Sequence, residues 1–540
     1  MPRKHLLIIL VLVISASLLL FGCGSDQTRD DQNAGVASEE QGQVDVIRLE
    51  GGDWGYPSPY AHYPRGPGGF KMALIFDGLL ERGEKGLIPW LAEKYEIKDN
   101  GKQYLFTIRD GVKWHDGKPF TAEDVKFTFE YASKHPMVWS DIGSDDIEKV
   151  ESVGDRQVLV TVSEPNASML YNLGQTRIIP KHIWENVDHP KEFTGPEAVT
   201  GTGPYRLTDY NKEHGTYRFE AFGDFWGPVQ KVKVIEFIPV SEPVLAFEKG
   251  EIDLTGVSPD VLPRFQNNPA YKVVQSPGFW GYRLLFNMGD YPVLRHKELR
   301  QAISYAIDAQ ELINKVERGA AVPGSAGILP PDHVMYNSNV KQYNLNLKKA
   351  KDLLARLGYD RLDEKGICQN KDGKKLSFTL SVPDRAVRMA EVLQEQLAKA
   401  GIEIKVQSAD TKTHDARVRN NEYQLAVLGH GGWGNDPDYL RERFGGLFKG
   451  GISPSASGLQ GYNNQELNDL LEKQCLEMDE QKRKQLIFKI QEILAEDVPE
   501  IPLYYTTGYS VYRPDKYDGW MFMFDHHSLT HSKLSYLERD

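Results

Sequence analysis

The hydrophobic pattern divides the chain before any residue chemistry is considered. An uncharged apolar run, Leu6 to Phe21, follows the basic head Arg3-Lys4-His5. Gly24 to Gln43 then holds almost nothing apolar, so it cannot bury a core and reads as a flexible leash. Ordered patterning begins at Val44-Asp45-Val46-Ile47-Arg48-Leu49, a first strand. Tyr104 to Arg109 alternates as a second, ending in the Asp110-Gly111 turn, with another tight turn at Asp116-Gly117. Thr121-Ala122-Glu123-Asp124 opens a helix: Thr121 caps free amides, Asp124 places negative charge in the first turn, and Val125, Phe129 and Ala132 continue at helical spacing. The Gly/Pro turn Gly201 to Tyr205 leads into β-rich sequence that includes Lys233 to Ile238.

After about residue 280 the texture changes. Ser377 to Val382 reads as a strand. Ala386 to Ala400 reads as a helix with Met389, Val392, Leu393 and Leu397 on one face and Gly401 at the left-handed stop, and Ile402, Ile404 and Val406 alternate beyond it. That βαβ order predicts a parallel pair with a helix packed on the sheet. Glu480 to Glu496 is a further helix, with Leu486, Ile487, Ile490, Ile493 and Leu494 on its buried stripe. The pattern predicts an α/β protein of two lobes with a cleft between them.

Length supports more than one core: 540 residues exceed what a single ordinary domain buries. A net charge of −12 speaks against nucleic acid as a partner, since neutralising phosphates takes clustered Lys and Arg. The basic head and short apolar run describe a secretory signal, too short for a comfortable membrane span. Leu20-Phe21-Gly22-Cys23 resembles a bacterial lipobox, with Phe21 bulkier than the usual small residue. The resemblance implies cleavage before Cys23 and a lipid on its thiol, hence a chain anchored outside the cytoplasm; an ordinary signal peptide is the alternative. Cys368 and Cys475 are too few for a disulfide scaffold, and whether they pair stays open.

Catalytic signatures are missing. The sequence has no G-x-x-x-x-G-K-[ST], no H-E-x-x-H and no G-x-S-x-G, so we expect a binding protein without a cofactor and not an enzyme. His526-His527 with His531 lacks carboxylate or cysteine partners at metal-binding spacing and reads as a solvated tail. His115 reads as a turn residue. The Gly- and Pro-rich segment Gly51 to Gly69 carries Trp54, Tyr56, Tyr60, His62, Tyr63 and Arg65, which either line a site or pin the loop to the surface.

The blocks Leu87-Ile88-Pro89-Trp90-Leu91-Ala92-Glu93-Lys94-Tyr95, Asp99-Asn100-Gly101, Phe106 to Gly117 and Phe120-Thr121-Ala122-Glu123-Asp124-Val125 occur in register. So do Gly201-Thr202-Gly203-Pro204-Tyr205, Asn287 with Leu299 to Asp308, and Glu480 to Glu496 running into Asp497 to Tyr505. Together they resemble the family-5 solute-binding proteins of ABC importers, which include dipeptide-, oligopeptide- and nickel-binding members. The resemblance spans residues 45 to 510. It implies a two-lobed periplasmic-binding-protein-like α/β fold with a hinge and an extra subdomain in lobe one, acting as a monomer that hands a small solute to ABC permease subunits. The expected layout is a signal peptide over 1–22, the lipidated leash over 23–43, lobe one over 44–75 and 200–275 with its subdomain over 76–199, lobe two over 276–507, and a return to lobe one over 508–540.

A peptide is the favoured solute, a nickel chelate or other non-peptide the alternative, and a peptide-sensing receptor uncoupled from uptake a reading from another class. A buried peptide ammonium needs a carboxylate partner. In peptide-binding relatives it is an Asp in a Trp-x-x-Asp pattern, which Trp433-Gly434-Asn435-Asp436 fits. Pro437-Asp438-Tyr439 follows at once, so alignment of Asp436 with a later structural Asp-Pro stays open. A chelate would be expected to use aromatics, Arg and a His such as His430. The candidate ligand-facing set is Trp54, Tyr60, Arg65, Trp280, Tyr282, Arg283, His430, Trp433 and Asp436.

Overall fold

The computed structural model describes residues 43–83, 86–140, 142–143, 145–431, 433–434, 436–445, 459, 461–522 and 526–531. The expected signal segment, Cys23 and nearly all of the expected leash lie outside the described residues.

Lobe one is built on a four-stranded sheet. Val44–Glu50 pairs in parallel with Val232–Ile238, which runs antiparallel to Thr216–Ala221, itself antiparallel to Tyr205–Asn211. Ile47, Phe219, Val232 and Ile235 on its inner face have no exposure. A separate antiparallel sheet orders Ala92–Lys98, Gln103–Ile108, Gln157–Val162 and Ile147–Val153, and the helix Ala122–Lys134 packs on it. Here the Asp124 carboxylate accepts the Thr121 amide at 2.8 Å, as the sequence pattern predicts, and also the Lys181 amide at 3.0 Å. His115 ties this region to the Gly201–Tyr205 turn: its Nε2 reaches the Gly203 carbonyl at 2.9 Å and its Nδ1 accepts the Gly201 amide at 3.3 Å.

Lobe two holds a six-stranded mixed sheet ordered Ala321–Pro323, Glu500–Thr506, Trp280–Phe286, Leu425–Gly431, Ser377–Pro383 and Glu403–Ala409. Ser377–Pro383 and Glu403–Ala409 are parallel across the helix Val387–Lys399, so the predicted βαβ unit is present. On the helix Glu480–Asp497, Ile487, Ile490 and Leu494 are fully buried, while Leu486 and Ile493 are half-buried. The same helix also buries the polar Arg483 and Gln491, which periodicity does not foresee. Cys368 and Cys475 are both buried free thiols. Among the described residues no helix is long and apolar enough to cross a membrane.

Two crossovers join the lobes. Lys272–Gln275 of a small three-stranded sheet leads into Trp280–Phe286, and Glu500–Thr506 leads back into Tyr509–Tyr512 of that small sheet. The crossovers touch: the Ser276 amide donates to the Gly508 carbonyl at 2.8 Å, and the Gln275 side chain donates to the Thr507 carbonyl at 3.3 Å. Two short hydrogen-bonded connections between separately packed cores are the kind of joint used in hinge closure.

Gly401 ends the helix Val387–Lys399 at φ +88°, and a Cβ there would stand 2.4 Å from the Cys368 sulfur. Gly373 has a similar φ of +74° but faces open space. Gly373→Ala should therefore cost only the left-handed backbone penalty, about 1–2 kcal/mol. Gly401→Ala should cost measurably more, because the clash adds to it. Urea unfolding of both variants checks this; equal losses would show that the Cys368 contact carries no weight.

Candidate functional site

A cavity of about 630 Å³ lies between the lobes, within the usual range for small-ligand sites. Its lobe-one wall comes from the aromatic loop and the helix Gly66–Ala73, with Trp54, Arg65 and Phe70, joined by Trp139, His526 and His527. Its lobe-two wall comes from the ends of Trp280–Phe286 and Leu425–Gly431 and from the helix Tyr439–Phe444, with Trp280, His430, Trp433 and Tyr439. The strand ends meet there because Trp280 pairs with Gly431 in the sheet register.

The lobe-two wall rests on one buried ionic group. Glu500 is 1% exposed; its carboxylate accepts Arg283 at 3.1 Å and Arg443 Nε and Nη2 at 3.0 and 2.8 Å. Burial pushes the Glu500 carboxyl up, but the two guanidinium groups outweigh that and hold it below its ordinary range. Arg283 in turn lies over the Trp433 ring, 5.6 Å from its centroid. His430 and Tyr439 pack edge-on to the same indole at 4.3 and 5.6 Å. Burial, and then the positive field of Arg283, Arg443 and Arg65, holds His430 well below its ordinary pKa, so its imidazole is neutral at neutral pH. Among the described residues, the Trp433 Nε1 and Tyr439 hydroxyl are buried without a hydrogen-bond partner. Such groups are normally satisfied, and here they border a cavity where a solute can satisfy them.

The candidate residues divide accordingly. Trp54, Arg65, Trp280, Arg283, His430, Trp433 and Asp436 border the cavity. Tyr60 does not: it is 3% exposed and packs against Tyr131 and Trp184 in the lobe-one core, so within the aromatic loop this ring pins the loop. Tyr282 is wedged between Trp280 and Tyr504 behind the wall. The Asp436 carboxylate is taken by Arg483, whose Nη1 and Nη2 donate at 2.7 and 2.6 Å. The histidines near the C-terminus depart from the solvated-tail expectation. His526 and His527 stand on the cavity wall, and burial pushes them down to about 4 and about 2. His531 is 4% exposed and bonds the hydroxyls of Tyr205 and Tyr517.

Sequence reasoning missed the contacts that cross the cleft. Arg65, just before the helix Gly66–Ala73, reaches lobe two and donates to Asp415 from Nε at 3.1 Å and from Nη2, and to the Gly429 carbonyl at 3.1 Å. The Tyr63 hydroxyl donates to the same carboxylate at 2.9 Å, and Lys412 meets Asp53 at 3.3 Å. Asp415 is 1% exposed, so this pair is far from solvent screening. The Gly- and Pro-rich, aromatic character of the loop was visible, and so was Arg65 within it; its partner, 350 residues away, was not.

With this geometry in hand, residues 86–451 match the family described as "Bacterial extracellular solute-binding proteins, family 5 Middle". The chain belongs to that family. Among its relatives, this family-5 protein is 27% identical over 461 residues to the dipeptide-binding protein of Escherichia coli, covering 80% of this chain and 83% of that protein. It is 26% identical over 498 residues to heme-binding protein A of Haemophilus influenzae, covering 83% and 87%. The DppA periplasmic binding protein of Helicobacter pylori, solved in complex with the peptide STSA, superposes at a TM-score of 0.77 with 24% identity over 93% of this chain and 98% of that one. NikZ of Campylobacter jejuni, solved with Ni(L-His), gives 0.76 at 24% identity over 92% and 98%. These likenesses fix the two-lobed fold; the family supplies the role of capturing solutes outside the cytoplasm.

Asp415→Ala removes the hub of the cross-cleft contact and leaves Arg65 without its carboxylate. The contact should weaken by up to about 3–5 kcal/mol, the range for truncating one partner of a buried pair, and the lobes should separate. Small-angle scattering is expected to show a larger radius of gyration than wild type at neutral pH. An unchanged radius would mean that Asp415 does not hold the lobes together.

Proposed function

We propose that this family-5 protein captures a short peptide between its lobes and delivers it to the permease of an ABC importer, without catalysing a reaction. The observation that carries the reading is the interlobe cavity, with aromatic walls from both lobes and unpartnered polar atoms on Trp433 and Tyr439. A peptide supplies what that surface lacks: apolar side chains for the rings, and backbone carbonyls for the free donors. The dipeptide-binding relative of E. coli and the oligopeptide-binding protein AppA of Bacillus subtilis, 27% identical over 548 residues, support the solute class. On this reading Trp54, Arg65, Trp280, His430 and Trp433 touch the solute, while Arg283 holds the wall from behind. Lobe one takes residues 44–75, 200–275 and the returning C-terminal segment from 508, with the subdomain over 76–199; lobe two takes 276–507. The mature chain, anchored through a lipid on Cys23, works as a monomer beside its permease.

A nickel chelate is the second reading, favoured by the neutral, cavity-facing His430 beside the Trp433 ring. Uptake separates transport from a sensor that binds the same solute. Cells lacking this chain should take up a labelled tripeptide mixture, offered in free-amine and N-acetylated forms, poorly and recover with the wild-type gene. Uptake that is indifferent to the chain would favour the sensor, and recovery only for labelled nickel–histidine would favour the chelate.

The anchor is tested apart from the solute. Wild-type protein should incorporate labelled palmitate and sediment with membranes, and Cys23→Ala should do neither. Equal labelling of both forms would refute the lipid anchor.

A further inference from the structure

The charges on the cavity wall are unevenly committed. Its carboxylates, among the described residues, are Asp436, Asp438 and Glu442. Asp436 is held through both oxygens by Arg483. Asp438 accepts Arg441 at 2.9 and 2.6 Å and the Gln474 amide at 2.5 Å. Glu442 is engaged as well. Arg385, by contrast, stands on the wall beside Tyr282 and meets no carboxylate among the described residues. The unsatisfied polar atoms lean the same way: the indole N–H of Trp433, in a side chain only 2% exposed, can only donate, and the Tyr439 hydroxyl is able to.

We propose that the solute of this cavity carries no free ammonium group: it is a short peptide or peptide-like acid whose amino end is acylated, cyclised or absent, with its acceptors turned to Trp433, Tyr439 and Arg385. This rests on the peptide reading above and narrows it. An ammonium ion desolvated here needs a carboxylate with lone pairs to spare. Asp436 already balances the 6%-exposed Arg483, so an ammonium sharing it would leave two cations for one carboxylate in a largely buried site. The field of Arg65, Arg283 and Arg443 that keeps His430 neutral also works against a second cation at the same wall. A blocked amino end avoids both costs, while a carboxylate can meet the Arg385 guanidinium.

The test is a competition on the intact mature protein. A random tripeptide mixture is offered in equal amounts of free-amine and N-acetylated forms, the protein is recovered by rapid gel filtration, and the retained peptides are quantified by mass spectrometry. The acetylated forms should be enriched on the order of tenfold or more, the scale of leaving a buried charge unpaired. Equal retention, or enrichment of free-amine forms, overturns the proposal and leaves the peptide reading standing. Retention of neither form overturns both.

Discussion

A single buried carboxylate organises the cavity-facing half of lobe two. Glu500 opens the strand that carries the chain back across the hinge, and it gathers Arg283 from the neighbouring strand and Arg443 from the helix over the cavity. A buried ion pair seldom adds net stability over apolar residues of the same shape, but breaking one is costly, because the stranded charge has nowhere to go. The arrangement therefore fixes geometry more than it adds free energy. Strand, helix and hinge share one anchor, and the Trp433–His430–Tyr439 cluster is positioned on top of it. A slip of Glu500 would move the wall and the crossover together.

The lobes are joined in two ways that differ in kind. At the hinge, one backbone hydrogen bond and one from the Gln275 side chain join the crossovers and restrain them without fixing an angle. Across the cleft, Arg65, Tyr63 and Lys412 join side chains to Asp415 and Asp53, and these contacts can part when the lobes do. Closing on a solute thus exchanges hydration of the walls for cross-cleft ion pairs plus solute contacts, which makes enclosure depend on both. A family of extracellular solute-binding proteins requires this property: hold tightly when closed, yet release when a partner pulls the lobes apart.

Much of the fold was legible from periodicity. The alternation of Tyr104 to Arg109 and the helical stripe of Ile487, Ile490 and Leu494 are local signals, and local signals decide elements. The site was only partly legible, because its meaning lies in long-range partners. Tyr60 and Trp54 share an aromatic loop, and nothing in their spacing says that one turns to the core and the other to the cavity. Asp436 has the residue type of an ammonium partner, but its carboxylate is engaged by Arg483, 47 residues on in the helix Glu480–Asp497. His526 and His527 are polar and near the C-terminus, so they read as tail; their burial follows from packing near Trp280 and Gly431. Arg483 and Gln491 sit at helical spacing with the apolar positions of their helix, and only the fold shows that they are buried and that Arg483 meets Asp436.

The central claim is that the solute is enclosed between the lobes against the Trp433 wall. A crystal structure of the protein purified from its native host with the molecule it retains tests this directly. The account predicts ordered solute density in contact with both Trp433 of lobe two and the Trp54–Arg65 loop of lobe one, with the Trp433 indole N–H donating to it. A solute bound outside this cavity, or touching one lobe alone, would contradict it.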